Sequence, residues 1–226
     1  QMCIRDSHTL HLATIVTPDA QKEQANAVLG VLQAWSTSAR GIAKNWQLHV
    51  WELTGPAKGW GDQLQSHYRE QPVFAVLSGA GGAQWLPVHL FCETNRVPCI
   101  LPSVEVVPKN GGSYYSVYYS PGVVLEARVL ANYLNNRPDA KEEAPEVVQL
   151  YSDATGKQAA RTLHSSLERR SEPRYSRTKS ATALTDLPRN GSLVLWLRPD
   201  EIAQLVATAP QGPAVQHIYL SALLAP

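Results

Sequence analysis

The chain has 226 residues and a mass of 24.8 kDa, which allows one large domain or two small ones. Hydrophobic residues make up 44% and charged residues 17%, so the composition predicts a folded core and excludes a disordered chain or a fibrous repeat. The 20 Lys and Arg residues nearly balance the 19 Asp and Glu residues, so no basic surface indicates nucleic acid as a partner. The longest apolar runs, such as residues 73–77, are far shorter than the roughly 20 residues of a membrane span.

The sequence divides into a short N-terminal stretch and two lobes. Residues 1–8 show no apolar periodicity, and the stretch QMCIRDS, which contains Cys3, is interpreted as a non-native scar. We assign residues 9–120 to lobe 1 and residues 121–226 to lobe 2. No secretory signal is visible, and a truncated beginning could not show one.

Lobe 1 is predicted to alternate strands with helices. Buried parallel strands show short unbroken apolar runs and half-exposed strands alternate, and on these patterns strands are predicted at residues 12–16, 48–53, 73–77 and 99–101. Helical patterns lie between them, from Ala25 to Trp35, over 62–69 and over 84–95. Asp19 is predicted to cap the first helix, and Pro87 to lie in the first turn of the third. The order β-α-β-α-β-α-β predicts a parallel, doubly wound sheet.

Lobe 2 repeats this alternation after a linking helix that carries Val123, Ala127, Leu130 and Leu134 on one face. Strands are predicted at residues 147–151, 174–178, 193–197 and 217–223. Helices are predicted over 155–169 and from Pro199 onward. The fold class is therefore α/β, with two Rossmann-like lobes built on parallel sheets.

The most informative motif is the glycine loop, residues 78–84 (SGAGGAQ), which follows the third strand of lobe 1. Ligands of open parallel sheets bind at the carboxyl ends of the strands, where loops lead into helix N-termini. Glycines let the backbone approach a ligand, and free N–H groups favour an anion such as a carboxylate. The alternative is a tight turn whose glycines serve only chain reversal, but three glycines exceed what one turn requires.

Other strand ends supply further candidates. Ser103 and Glu105 follow the fourth strand of lobe 1, and Tyr151, Ser152, Asp153 and Arg198 follow strands of lobe 2. Tyrosines 114, 115, 118 and 119 lie near the lobe boundary, and aromatic faces often line small-molecule sites. Each residue also has a structural interpretation: Tyr151 as a packing residue, Asp153 as a helix N-cap and Arg198 as a surface charge.

Catalytic and cofactor motifs are weak. The sequence has no G-x-S-x-G, H-E-x-x-H, C-x-x-C-H or phosphate-loop motif, and Gln84 stands where a dinucleotide fingerprint needs its third glycine. His89, Cys92 and Glu93 share a helix face but lack the fourth ligand of a structural zinc site. We therefore expect no enzyme activity, no metal and no cofactor. Cys92 and Cys99 could form a disulfide or remain two free thiols.

The lobe pattern and the glycine loop resemble the type I periplasmic substrate-binding proteins, and most closely the leucine and branched-chain amino acid receptors of ABC transporters. The motifs at residues 85–89 (WLPVH), 91–93 (FCE), 97–99 (VPC) and 125–127 (LEA) are similar to a subgroup of receptor-like proteins, some of them associated with cytochrome c domains. The resemblance covers residues 9 to 226.

The resemblance implies a function and a set of binding residues. It implies a periplasmic receptor that holds a small amino-acid-like molecule between its lobes, closes by a hinge motion and delivers the ligand to an ABC transporter permease. The residues that it assigns to the ligand are Ser78, Gly79, Gly81, Gly82, Ala83, Ser103, Tyr119, Tyr151 and Asp153. Since chains of this family return to lobe 1 after lobe 2, it also implies that lobe 2 is incomplete here.

Two other functions stay open from the sequence. One is a receptor fold without a transported ligand, serving as a sensory or interaction module beside a cytochrome c or another redox partner. The other is an enzyme on a Rossmann-like fold, which the missing motifs disfavour.

Overall fold

The computed structural model describes residues 9–38, 45–109, 113–137, 146–167, 174–177, 191–208 and 215–225. The chain divides into two compact units, Gln1–Pro121 and Gly122–Pro226. Every strand pair among the described residues is parallel, as the sequence pattern predicts. The interpretation of residues 1–8 as a scar lies outside the described residues.

Unit 1 contains seven described strands and three described α-helices, several of them very short. In chain order they are β1 (Leu10–Val16), α1 (Lys22–Ser38), β2 (Trp46–Glu52), a 3-10 turn (Ala57–Gly59), α2 (Trp60–Glu70), β3 (Ala75–Leu77), β4 (Ala80–Gly81), α3 (Leu86–Asn95), β5 (Cys99–Ile100), β6 (Ser103–Val104) and β7 (Ser116–Val117).

The strands predicted at residues 73–77 and 99–101 are observed as β3 and β5, and each is followed after a break by a short second strand that was not predicted, β4 and β6. β3 and β4 lie along the same edge of β1, where Leu12 pairs with Ala75 and Val16 with Ala80. β5 and β6 continue the pattern beyond them. Each break contains a residue in the left-handed region, Ser78 with φ 43° and Leu101 with φ 54°, which interrupts the extended backbone.

The order across the unit 1 sheet is therefore β2, β1, β3 with β4, β5 with β6, and β7. β1 has β2 on one edge and β3 with β4 on the other, so successive connections leave β1 in opposite directions. In open α/β sheets this reversal forms a crevice at the carboxyl end of the strands, where ligands bind. The sheet thereby places the glycine loop at the carboxyl ends of β1 and β3, next to this reversal of strand order.

The core of unit 1 holds large buried side chains from both the sheet and the helices. Trp60 and Trp85 are 1% exposed, and Ile15 and Leu64 are fully buried. Pro87 lies in the first turn of α3, as predicted, because the first turn needs no hydrogen bond from its nitrogen. The predicted cap of α1 is wrong: the helix begins at Lys22, three residues after Asp19, and Asp19 bonds elsewhere.

Unit 2 is built on a four-stranded sheet with the order β11-β10-β8-β9. Its elements are α4 (Val123–Asn135), β8 (Val147–Tyr151), α5 (Ala154–Ser166), β9 (Arg174–Arg177), β10 (Ser192–Trp196), α6 (Pro199–Thr208) and β11 (His217–Leu220). Every residue of β8 and β10 is buried, which is typical of central parallel strands. Buried Gln149 is satisfied by the Trp196 indole N–H at 2.9 Å and the Ala160 carbonyl at 3.2 Å.

No helix among the described residues combines the length and apolar character needed to cross a membrane.

Candidate functional site

The glycine loop does not run directly into a helix. Ala80 and Gly81 form β4, which is paired with β1 and with β6, and α3 begins only at Leu86. The Ser103 N–H donates to the Gly79 carbonyl at 2.7 Å, and the Thr17 N–H donates to the Ala80 carbonyl at 3.0 Å. The expectation of a simple strand-to-helix turn is therefore corrected, because Ala80 and Gly81 in the middle of the loop are part of the sheet.

Two of the glycines are in contact with the ring of Trp85. A Cβ on Gly79 would lie 2.6 Å from the Trp85 ring and 2.8 Å from the Ile15 carbonyl oxygen. A Cβ on Gly81 would lie 2.8 Å from Cζ3 of the same ring. Trp85 is 1% exposed, so its ring has little room to move. Packing against Trp85 therefore accounts for these two glycines without a ligand.

The third glycine lies against Asp19, which follows β1 in the crevice. The Asp19 carboxylate accepts hydrogen bonds from the Gly82 N–H at 3.3 Å and from the Gln84 N–H at 2.9 Å. It also accepts one from the Thr17 hydroxyl at 2.5 Å. A carboxylate of the chain itself thus occupies the loop amides that the sequence assigned to a ligand anion.

Sequence reasoning missed this role of Asp19, although a signal was present. Asp19 lies three residues after the end of β1, and the carboxyl ends of β1 and β4 are neighbours in a sheet of this order. An acidic residue at that position can reach the amides of the next loop as readily as those of its own helix.

Polar side chains continue along the same edge of the sheet toward β6. The Ser103 hydroxyl accepts a hydrogen bond from the Gln24 side chain at 2.6 Å. Glu105 is 1% exposed and accepts one from the Gln21 side chain at 3.4 Å. Gly82, Ser103 and Glu105 therefore lie at one edge of unit 1, together with polar groups from the start of α1.

A second cluster lies between α3 and β7 in unit 1. The Glu93 carboxylate accepts hydrogen bonds from the Ser116 hydroxyl at 2.8 Å and from the Tyr114 and Tyr115 N–H groups. Burial acts to raise the pKa of Glu93, but these hydrogen bonds lower it below its usual value. The Tyr118 hydroxyl lies 3.0 Å from Nδ1 of His89, and burial, aided by the Glu93 charge, raises the pKa of Tyr118.

The hydrogen bonds of this cluster hold β7 against α3. A disulfide joins α3 to the neighbouring strand β5. Cys92 and Cys99 are joined in a disulfide with their Cα atoms 6.1 Å apart, so the free-thiol alternative is excluded. Cys92 is therefore not available as a metal ligand beside His89 and Glu93. No group of three or more potential metal-ligating side chains occurs in the described parts of the chain.

The candidate residues of unit 2 have partners of their own. Asp153 is the N-cap of α5, accepting from the Gly156 N–H at 2.7 Å, and it forms an ion pair with Arg198 at 3.3 Å. The structural interpretation of Asp153 is thus confirmed, while Arg198 is paired rather than simply solvated. Tyr151 is 6% exposed, as a packing residue would be.

Tyr119 belongs to unit 1, and its side chain is 87% exposed, in contrast to the buried Tyr151 of unit 2. Ser78 is half-buried, and Ala83 is exposed. The structure thus brings Gly79, Gly81, Gly82 and Ser103 to one edge of unit 1, and Tyr151 and Asp153 to the strand ends of unit 2.

Solved structures of transporter receptors share this fold, whereas no protein-family model and no curated protein matches the sequence. The branched-chain amino acid transporter substrate-binding protein LivJ from Streptococcus pneumoniae, in complex with isoleucine, has a TM-score of 0.70 at 14% identity, covering 94% of this chain and 64% of its own. The solute-binding protein of an ABC transporter from Rhodopseudomonas palustris, in complex with 3,4-dihydroxybenzoic acid, has a TM-score of 0.70 at 12% identity, and the match covers 96% of this chain and 63% of that protein. The leucine-binding protein LivK from Thermotoga maritima has a TM-score of 0.64 at 13% identity, and the match covers 89% of this chain and 60% of that protein.

The chain spans less than two thirds of the length of these structures, at 60% to 64%. At such low identity the likeness establishes the fold and leaves the ligand to be determined. The parallel sheets of both units and the reversal of strand order at β1 agree with it. The chain has the fold of the type I periplasmic substrate-binding proteins.

Proposed function

We propose that the protein is a non-enzymatic receptor for a small polar molecule. The observation that carries the proposal is the set of polar groups at the neighbouring carboxyl ends of β1, β4 and β6, in a fold whose solved examples include complexes with isoleucine and 3,4-dihydroxybenzoic acid. Trapping of an amino-acid-like ligand by hinge closure of the two lobes is the finer part of the proposal.

The proposed binding groups come from both units. In unit 1, Ser78, Ala83 and Ser103 would contact the ligand, with the backbone of Gly79, Gly81 and Gly82 beside them. In unit 2, the small exposed part of Tyr151 and the Asp153 carboxylate would contact the ligand, and exposed Tyr119 of unit 1 would supply the aromatic face. Ser103 is the best single probe, because its hydroxyl lies at the crevice and accepts a hydrogen bond from Gln24.

The proposal includes a periplasmic location and delivery of the ligand to an ABC transporter permease. The Cys92–Cys99 disulfide supports this location, because disulfides form and persist in oxidising compartments. The permease is proposed from the structural neighbours, which are named as transporter components.

The test is a thermal-shift screen of the purified chain with amino acids, aromatic acids, alcohols and amines. A ligand at about 100 times its Kd stabilises the folded state by about 2.7 kcal/mol, so the Tm should rise by several degrees. Ser103→Ala should reduce the shift, whereas the control Ser66→Ala, on the exposed face of α2, should leave it unchanged. If no compound in the whole screen raises the Tm, the receptor proposal fails.

One observation favours a second candidate, an interaction or sensory module that keeps the receptor fold without a small ligand. The Gly82 and Gln84 amides are already bonded to Asp19, as they would be in a site that no longer needs them for a ligand. A screen without any hit would favour this candidate.

A further inference from the structure

The carboxylate of Asp19 occupies the backbone donors that a bound anion would need. We propose that Asp19 is a specificity-determining residue that excludes ligands presenting a carboxylate to the glycine loop and restricts this end of the site to uncharged or cationic groups. The inference rests on the proposed receptor function, since it concerns which ligands the unit 1 crevice accepts.

Three hydrogen-bond donors converge on Asp19. They are the Gly82 N–H at 3.3 Å, the Gln84 N–H at 2.9 Å and the Thr17 hydroxyl at 2.5 Å. Hydrogen bonds to an ionised carboxylate are stronger than those between neutral groups, so a competing ligand must displace a well-held anion. Once displaced, Asp19 would remain a like charge next to the incoming carboxylate, which adds repulsion to the loss of its hydrogen bonds.

The surrounding charges act in the same direction. Within the described residues, no Lys or Arg forms an ion pair with Asp19, so its negative charge is compensated by neutral donors only. This edge of unit 1 thus presents the Asp19 carboxylate among neutral donors, a combination that suits an amine or a hydroxyl better than an acid.

The close fit of the loop onto Asp19 shows that the contact is built into the backbone. A Cβ on Gly82 would collide with the backbone carbonyl oxygen of Asp19 and would lie 2.8 Å from its Oδ2, so only glycine allows the loop to lie this close to Asp19. The absence of a side chain at Gly82 therefore serves an internal anion here, where the sequence suggested an external one.

The experiment titrates the intact chain with sodium acetate and follows the Gly82 and Gln84 amide signals in ¹⁵N–¹H NMR spectra. In the unsubstituted protein we expect no saturable shift at millimolar acetate. In Asp19→Ala the freed amides should bind acetate at least about tenfold more tightly, with a saturable shift at both signals. Asp62→Ala, which removes an exposed carboxylate from the first turn of α2, is the matched control and should behave like the unsubstituted protein.

Asp19→Asn is a second variant for the case that Asp19→Ala does not fold. It keeps a hydrogen-bond acceptor for one loop amide while it removes the negative charge. It should also gain acetate binding relative to the unsubstituted protein. The inference is overturned if acetate already binds the unsubstituted protein as tightly as the variants, or if neither folded variant gains a saturable shift. A ligand screen without hits but with acetate binding by Asp19→Ala would reject the receptor function and retain the role of Asp19.

Discussion

Substituting Gly81 with alanine tests whether the glycine loop is shaped by Trp85 or by a ligand. The new Cβ would lie 2.8 Å from Cζ3 of Trp85 and 3.1 Å from the Thr17 hydroxyl oxygen. Both neighbours are buried, with 1% of Trp85 and 2% of Thr17 exposed, so neither can swing into solvent. Overpacking of a core costs about 1–3 kcal/mol, and the rigid ring leads us to expect a cost in the upper part of that range.

The assay is urea unfolding of the purified chain, with two comparisons. Gly30→Ala in the middle of α1 meets no atom within 4 Å and should stabilise the protein by about 0.5–1 kcal/mol, as alanine does inside helices. In a Trp85→Phe background the smaller ring leaves space, so the cost of Gly81→Ala should fall by about 1 kcal/mol or more. Full stability of Gly81→Ala, or an equal cost in both backgrounds, would refute the reasoning.

Two further predictions concern pH and the unit 2 edge. Burial, with a smaller contribution from the nearby His11, lowers the pKa of His49 below its ordinary 6.5. The unfolded chain therefore binds more protons than the folded chain, and the free energy of unfolding should fall as the pH drops below about 6.5. His49→Gln should flatten this dependence in Tm measurements between about pH 8 and pH 5. Asp153→Ala should cost about 1 kcal/mol through loss of the α5 cap whereas Asp153→Asn should cost much less, and equal losses in urea unfolding would contradict a capping role.

Much of the fold follows from apolar patterning, and unit 2 illustrates this best. The predicted strand at residues 147–151 has the observed bounds of β8, because four of its five residues are apolar and a polar loop follows Tyr151. The bounds of helices are less well predicted: α5 ends at Ser166 and not at residue 169, since apolar spacing alone does not specify where the backbone leaves the helix.

The local structure of the glycine loop could not be predicted from the sequence. A glycine-rich segment lacks the side chains that indicate a strand, so nothing in the sequence pattern showed that Ala80 and Gly81 form a strand paired with β1 on one side and β6 on the other. The partner of the loop amides is Asp19, 63 and 65 residues away in sequence, and contacts of such separation depend on the register of β1 against β4. The position of Asp19 after β1 made it a candidate acceptor, but its partners among the loop amides became visible only in the folded chain.

The paired breaks at Ser78 and Leu101 have a mechanical consequence. They lie side by side, since Leu77 pairs with Ile100 before them and Ala80 pairs with Ser103 after them. β4 is hydrogen-bonded to β6 on one side and to the end of β1 on the other, so the segments beyond the breaks are anchored to the longest described part of the sheet. Moving Gly82 or Ser103 away from this edge would therefore break hydrogen bonds of the ladder, including the one from the Thr17 N–H to the Ala80 carbonyl.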